Sequence, residues 1–220
     1  MHRRTLFGLA ASAGAGATAA TLLPGAAHAA PTDGWTRTDF SYTVQKPWNL
    51  NVNDRYSHSG GVHTMWVYDT DQPHTQGSPT DPRTELRWHQ EFSSGQHMWD
   101  GDVFVPSGTD GPSIVQILRE DRPAGTPATD IMFWFQAANG GSIRYYDFGQ
   151  VLATGMANRW FNFKLAHWTQ SGTLGVWIDD RWIGSFQDRG PARRYFKNGV
   201  YHHGSGRAEA RFRNLKYWTK

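Results

Sequence analysis

No cysteine occurs among the 220 residues, so no disulfide staples this fold and core packing has to carry its stability. Helix signals are scarce too: after residue 31 almost no stretch repeats its apolar residues with a helical period. Net charge is small, with 22 Lys and Arg against 19 Asp and Glu. Arg3 and Arg4 account for two of the three excess positive charges, which leaves 20 basic residues facing 19 acidic ones over the rest of the chain. That balance excludes the broad basic surface of a general nucleic-acid binder, but it leaves room for a local cationic cleft. No run supplies the roughly twenty apolar residues that span a bilayer; Leu6 to Leu23 is rich in Ala and Gly and broken by Ser and Thr. The expectation is a chain with no nucleic-acid and no membrane partner. Nothing speaks for association, so a monomer is the default.

The first thirty residues read as an address. His2-Arg3-Arg4 gives a positive start, a weakly apolar run follows, and Ala27-His28-Ala29 supplies a small-x-small cleavage pattern. Arg3-Arg4 followed by Thr5-Leu6-Phe7 matches the opening of a twin-arginine signal. Residues 1–30 are therefore expected to be a secretory signal peptide, and 31–220 a single exported domain. Its length of about 190 residues is enough for one well-covered core.

What the domain does contain is strand material. Short runs rich in Val, Ile, Thr, Trp, Tyr and Phe alternate with Gly, Pro, Asn and Asp clusters, the pattern of strands and turns. Strands are expected at Phe40–Gln45, Val62–Tyr68, Arg83–His89, Met98–Val105, Ser113–Arg119, Ile131–Ala137, Ser142–Phe148, Trp160–Trp168, Thr173–Ile178, Arg181–Phe186, Arg194–His202 and Ala208–Tyr217. Asp179-Asp180 reads as a tight hairpin turn, and Asp69–Pro82 as a long polar loop. A dozen strands in one domain means two packed antiparallel sheets, an all-β sandwich or jelly roll. Most of the eleven Trp residues are expected to fill its core, with a minority lining a groove.

Three strands carry chemistry. In the first, period two places Arg83, Glu85, Arg87 and His89 on one face and Thr84, Leu86 and Trp88 on the other. In the second, Ile114, Gln116 and Leu118 share a face opposite Val115, Ile117 and Arg119, so Gln116 sits in an apolar setting and needs a partner or a ligand. In the third, Tyr195, Lys197, Gly199, Tyr201 and His203 fall together, with Gly199 allowing a close approach.

Pro82-Arg83-Thr84-Glu85-Leu86-Arg87, Val115-Gln116-Ile117 and Tyr195-Phe196-Lys197-Asn198-Gly199-Val200-Tyr201 resemble three signature segments of the alginate-lyase superfamily, in the same order and at similar spacing. That superfamily includes the alginate lyases of polysaccharide lyase family seven and the glucuronan lyases of family twenty. Asn158-Arg159-Trp160-Phe161 and Val176-Trp177-Ile178-Asp179-Asp180 fit it as well, so the similarity runs from about Thr36 to Trp218. The resemblance implies a β-jelly roll whose concave sheet holds an acidic polysaccharide. It implies Arg83 and Gln116 as contacts to the uronate carboxylate and Tyr201 as the proton-transfer residue, with Arg87, Glu85 and Lys197 supporting them; Tyr195, His89 and His203 share the faces of those strands and are expected beside the substrate. It implies no required cofactor; some relatives carry a structural calcium, for which this sequence gives no position. Family-seven enzymes follow Gln-Ile with His, whereas this chain has Leu118. That departure leans towards the glucuronan-lyase branch and towards plant citrate-binding proteins of the same superfamily.

β-Elimination needs the carboxylate neutralised, the C5 proton removed and the O4 leaving group protonated. In glucuronate and mannuronate H5 and O4 lie on one side of the ring, so one group can do both proton transfers; in guluronate and iduronate they lie on opposite sides and two are needed. Without a histidine at 118, Tyr201 is expected to serve as base and acid on glucuronan, then polymannuronate, with Lys197 and the two Args lowering its pKa. A replacement base would come from His63, His74, His89, His202 or His203. The alternative is a non-catalytic binder of acidic sugars or of a polycarboxylate such as citrate. A glycosidase is disfavoured because Glu85, between two Args, stays ionised and cannot act as a general acid.

Overall fold

The computed structural model describes residues 31–146 and 149–220. The expected signal peptide, and Phe148 at the end of one expected strand, lie outside the described residues. The chain forms strands β1 (Thr36–Thr38), β2 (Tyr42–Gln45), β3 (Tyr56–Ser59), β4 (Val62–Tyr68) and β5 (Arg83–Trp88). There follow β6 (Gln96–Phe104), β7 (Pro112–Glu120), β8 (Thr129–Gln136), β9 (Ser142–Tyr145) and β10 (Val151–Ala153). The last five are β11 (Trp160–Trp168), β12 (Thr173–Ile178), β13 (Arg181–Gln187), β14 (Arg193–His202) and β15 (Arg207–Thr219). One sheet runs β13-β12-β11-β6-β15-β4-β3 with β1 added to β15; the other runs β10-β9-β8-β7-β14-β5-β2. Every strand pairing in them is antiparallel. The two sheets stack as a jelly-roll sandwich, as the strand pattern implies.

Alternation decides which side chains meet between the sheets. Leu86 and Trp88 of β5, Phe133 and Phe135 of β8 and Phe196 and Val200 of β14 pack there against Trp99, Phe163, Val176 and Phe212 of the other sheet. Burying a side chain of this size stabilises by about 1.5–3 kcal/mol, so this layer holds a fold without disulfides. Asn198 completes it: its Oδ1 accepts the indole N–H of Trp88 at 2.8 Å and of Trp99 at 3.3 Å.

Three expectations change here. Only Trp88 and Trp99 are core tryptophans; the other nine are half-buried or exposed, because the outward faces of both sheets are themselves aromatic. Ile114 does not share a face with Gln116: the pairing of β7 with β8 slips between Ser113 and Val115, and this bulge turns Ile114 into the core beside Val115 and Ile117. Arg119, expected on a mostly apolar face, is buried in an ion pair with Asp130 at 3.2 Å. The Asp179-Asp180 turn is as expected, with φ of 51° and 59°, the conformation of a tight type I′ hairpin.

Candidate active site

β14 lies between β5 and β7, so the three motif strands are neighbours. Register then aligns their side chains. Tyr201 pairs with Arg83 and with Ser113, Gly199 with Glu85, and Lys197 with both Arg87 and Gln116. All point away from the core. Yet Glu85, Gln116 and Lys197 are only 1–3% exposed, which means this outer face is recessed rather than open.

Those three form a lower layer. Lys197 Nζ donates to Glu85 Oε2 at 3.1 Å, Gln116 Nε2 donates to Glu85 Oε1, and Arg83 stands 3.7 Å from the same carboxylate. Burial alone would push the Glu85 carboxyl up, but Lys197, Arg83 and the Gln116 amide outweigh it and hold the pKa below the usual range. Burial pushes the Lys197 ammonium down, only partly offset by Glu85, with Arg83 adding to the fall. Gly199 makes the layer possible. Its φ is 152°, and a Cβ there would sit 2.3 Å from the Thr84 carbonyl oxygen and 2.5 Å from Glu85 Cα. The close approach that the glycine permits is thus that of β5, which brings Glu85 onto Lys197 and Gln116.

Above this layer lie two guanidinium–phenol pairs. The Arg83 guanidinium sits 3.9 Å from the Tyr201 ring centre, and that of Arg87 4.0 Å from Tyr195. They differ in charge. Arg87 is also held by Glu91, and by Glu120 at 3.4 Å, whereas among the described residues Arg83 has only the more distant Glu85. Arg83 is therefore the less neutralised of the two cations. Tyr201 departs from expectation: burial raises its pKa, Arg83 opposes this, and Asp81 and Glu85 raise it further. The phenol is protonated at rest chiefly because it is buried, and Arg83 only partly opposes that.

Of the five histidines considered, the structure brings only His203 to Tyr201, with ring centres 4.0 Å apart. His89 falls one residue beyond β5, some six residues or about 20 Å along from Arg83, with both ring nitrogens taken by the Ser41 and Thr43 hydroxyls. His63 packs against Tyr56 and His58 on the other sheet, and burial lowers its pKa to about 4. His74 binds the Lys46 carbonyl, and the buried His202 braces the turn to Gly206. Residues that sequence reasoning missed are Asp81, whose Oδ2 lies 2.7 Å from His203 Nδ1, and Trp134, which stacks on His203 at 4.2 Å. Asp81 directly precedes Pro82 of the first motif, and Trp134 occupies an outward position of β8; both signals were present. Arg83 Nε, Ser113 Oγ, Trp134 Nε1 and His203 Nε2 are buried without a partner among the described residues, a concentration of unmet polar groups that suits a ligand site.

A cleft of about 1120 Å³ lies elsewhere, on the outer face of the other sheet between Lys164, Trp177, Trp182 and Trp218. Its Lys164 is committed to Asp180 at 2.5 Å, and it has no guanidinium–phenol pair. Among the described residues no group of three or more His, Asp or Glu side chains is arranged to hold a metal ion.

A family model described as alginate lyase matches residues 39–219. A citrate-binding protein from Hevea brasiliensis is 36% identical over 195 residues, covering 86% of this chain and 79% of that protein. Among solved structures, an alginate lyase from Pseudomonas aeruginosa superposes with a TM-score of 0.66 at 17% identity, over 82% of this chain and 98% of that one. A marine family-seven alginate lyase from Zobellia galactanivorans gives 0.62 at 15% identity, over 84% and 95%. At such identities these structures speak for the fold, a polysaccharide-lyase fold.

Proposed function

The chain belongs to the alginate lyase family, and from that premise we propose that it is a secreted lyase cleaving a 4-linked polyuronate by β-elimination, glucuronan first and polymannuronate next. The observation that supports this is the Arg83–Tyr201 pair, a weakly paired guanidinium packed on a protonated phenol over a recessed floor in which Lys197 and Glu85 neutralise each other. Arg83 neutralises the uronate carboxylate and stabilises the enolate-like transition state, an effect worth about 3 kcal/mol per well-placed donor. Gln116, whose amide already serves Glu85, offers its second N–H to the same carboxylate. Tyr201 delivers the proton to O4. Arg87 and Tyr195 line the groove further along, and Glu85 and Lys197 hold its floor. Tyr201→Phe preserves the Arg83 stacking and removes the proton, so turnover to unsaturated product should fall by about 10²–10⁴-fold with the melting temperature unchanged. Undiminished turnover would refute the assignment.

The relative named for citrate binding favours a second reading, a polycarboxylate receptor on the same cations. Calorimetry with citrate separates the two. A receptor binds citrate equally well with Phe at 201 and yields no unsaturated sugar from any polymer.

A further inference from the structure

We infer that Asp81 and His203 form a base dyad, in which His203 Nε2 takes the C5 proton while Tyr201 protonates O4 from the same side of the sugar. The inference rests on the elimination reading above and assigns the half-reaction that it leaves open.

The geometry sets each role. A carboxylate only accepts, so the 2.7 Å contact between Asp81 Oδ2 and His203 Nδ1 places the ring proton on Nδ1. Nε2 is then the lone-pair nitrogen, and it is buried with no partner among the described residues. Two aromatic contacts fix the ring. Trp134 stacks on it with planes 3° from parallel, and Tyr201 meets it edge-on. Asp81, at the end of the 69–82 loop, therefore orients the imidazole directly, and Tyr201 packs against that ring. The charged and titratable groups acting on His203 are Asp81, Glu85 and Arg83, with Tyr201 beside it. Burial is the largest influence and lowers its pKa, Asp81 and Glu85 opposing and Arg83 assisting. The imidazole is neutral at neutral pH and the phenol protonated, which is the starting state that the reaction requires.

The step balances without a co-reactant. The C5–H bond breaks to Nε2, its electron pair forms the C4–C5 double bond, the C4–O4 bond breaks, and O4 takes the Tyr201 proton. After product leaves, the proton on Nε2 returns to the phenolate, 4.0 Å away between ring centres. Tyr201 lies at the end of β14 and His203 one residue beyond it, with their rings in contact, so both approach the sugar from the same side of the groove. Two groups on one side serve only a substrate whose H5 and O4 share that side.

The test is the pH dependence of kcat/KM for wild type, His203→Gln and Asp81→Asn on polyglucuronate. Wild type should show an acidic limb from His203. His203→Gln should lose about 10²–10⁴-fold in kcat together with that limb, while KM stays within a few-fold. Asp81→Asn, which removes the influence raising the imidazole pKa, should move the limb to lower pH and reduce kcat less. If wild type is active and His203→Gln keeps its rate and its limb, the dyad is wrong and the elimination reading stands. If wild type gives no unsaturated product from any uronate polymer, both fall.

Discussion

Arg83 and Arg87 are the same residue type four positions apart on one strand face, yet their surroundings divide their work. Arg87 is neutralised by Glu91 and Glu120, so Arg87→Ala should change kcat by less than about tenfold. Arg83→Ala removes the cation proposed to meet the substrate carboxylate and should cost about 10²–10³-fold; equal losses in steady-state assays would contradict this division. Glu85 works beneath them. Glu85→Ala leaves Lys197 buried without its counter-charge, a loss of about 3–5 kcal/mol, or a fall in melting temperature of roughly 10 °C by calorimetry. Period two placed both Args on the right face. It was silent on their carboxylate partners, because Glu91 and Glu120 arrive from a loop and a neighbouring strand end.

Strands with a core-facing alternation were legible almost to the residue: Val62–Tyr68, Trp160–Trp168 and Thr173–Ile178 form as read from the sequence. Thr36–Thr38, Tyr56–Ser59 and Val151–Ala153 were missed. Each is short, largely exposed and attached at a sheet margin, where pairing rather than burial makes the strand and no apolar pattern is required. Bulges were equally invisible, since they depend on the partner strand, and the one at Ser113/Val115 moved Ile114 into the core. The Gly199 segment shows how an element-scale constraint reaches the site. Gly199→Ala must push β5 away from β14, which separates Glu85 from Lys197 and Gln116. Both thermal stability and kcat should fall together; a fully stable but inactive protein would show that the glycine serves the substrate instead.

Protonation links the whole molecule to pH. His63, His97, His167 and His203 all have pKa values lowered chiefly by burial, that of His63 to about 4. A histidine depressed on folding takes up protons more readily in the unfolded chain, so its contribution is present above the unfolded value of about 6.5 and is lost as pH falls through the folded value. The urea midpoint should therefore drop steadily from pH 7 to about 4, and His63→Gln should flatten that drop; a pH-independent midpoint would count against these burial assignments. The fold and the three motif strands were legible from residue pattern and resemblance together, while the Asp81–His203–Trp134 cluster was not, because it joins a loop, a strand end and a third strand that only the folded sandwich brings together. The central claim is elimination from uronates whose H5 and O4 lie on one side. Its most direct measurement is the ultraviolet absorbance of the C4–C5 double bond formed from polyglucuronate, polymannuronate and polyguluronate under identical conditions. The account predicts product from the first, less from the second and none from the third, all lost in Tyr201→Phe; preferential cleavage of polyguluronate would contradict it.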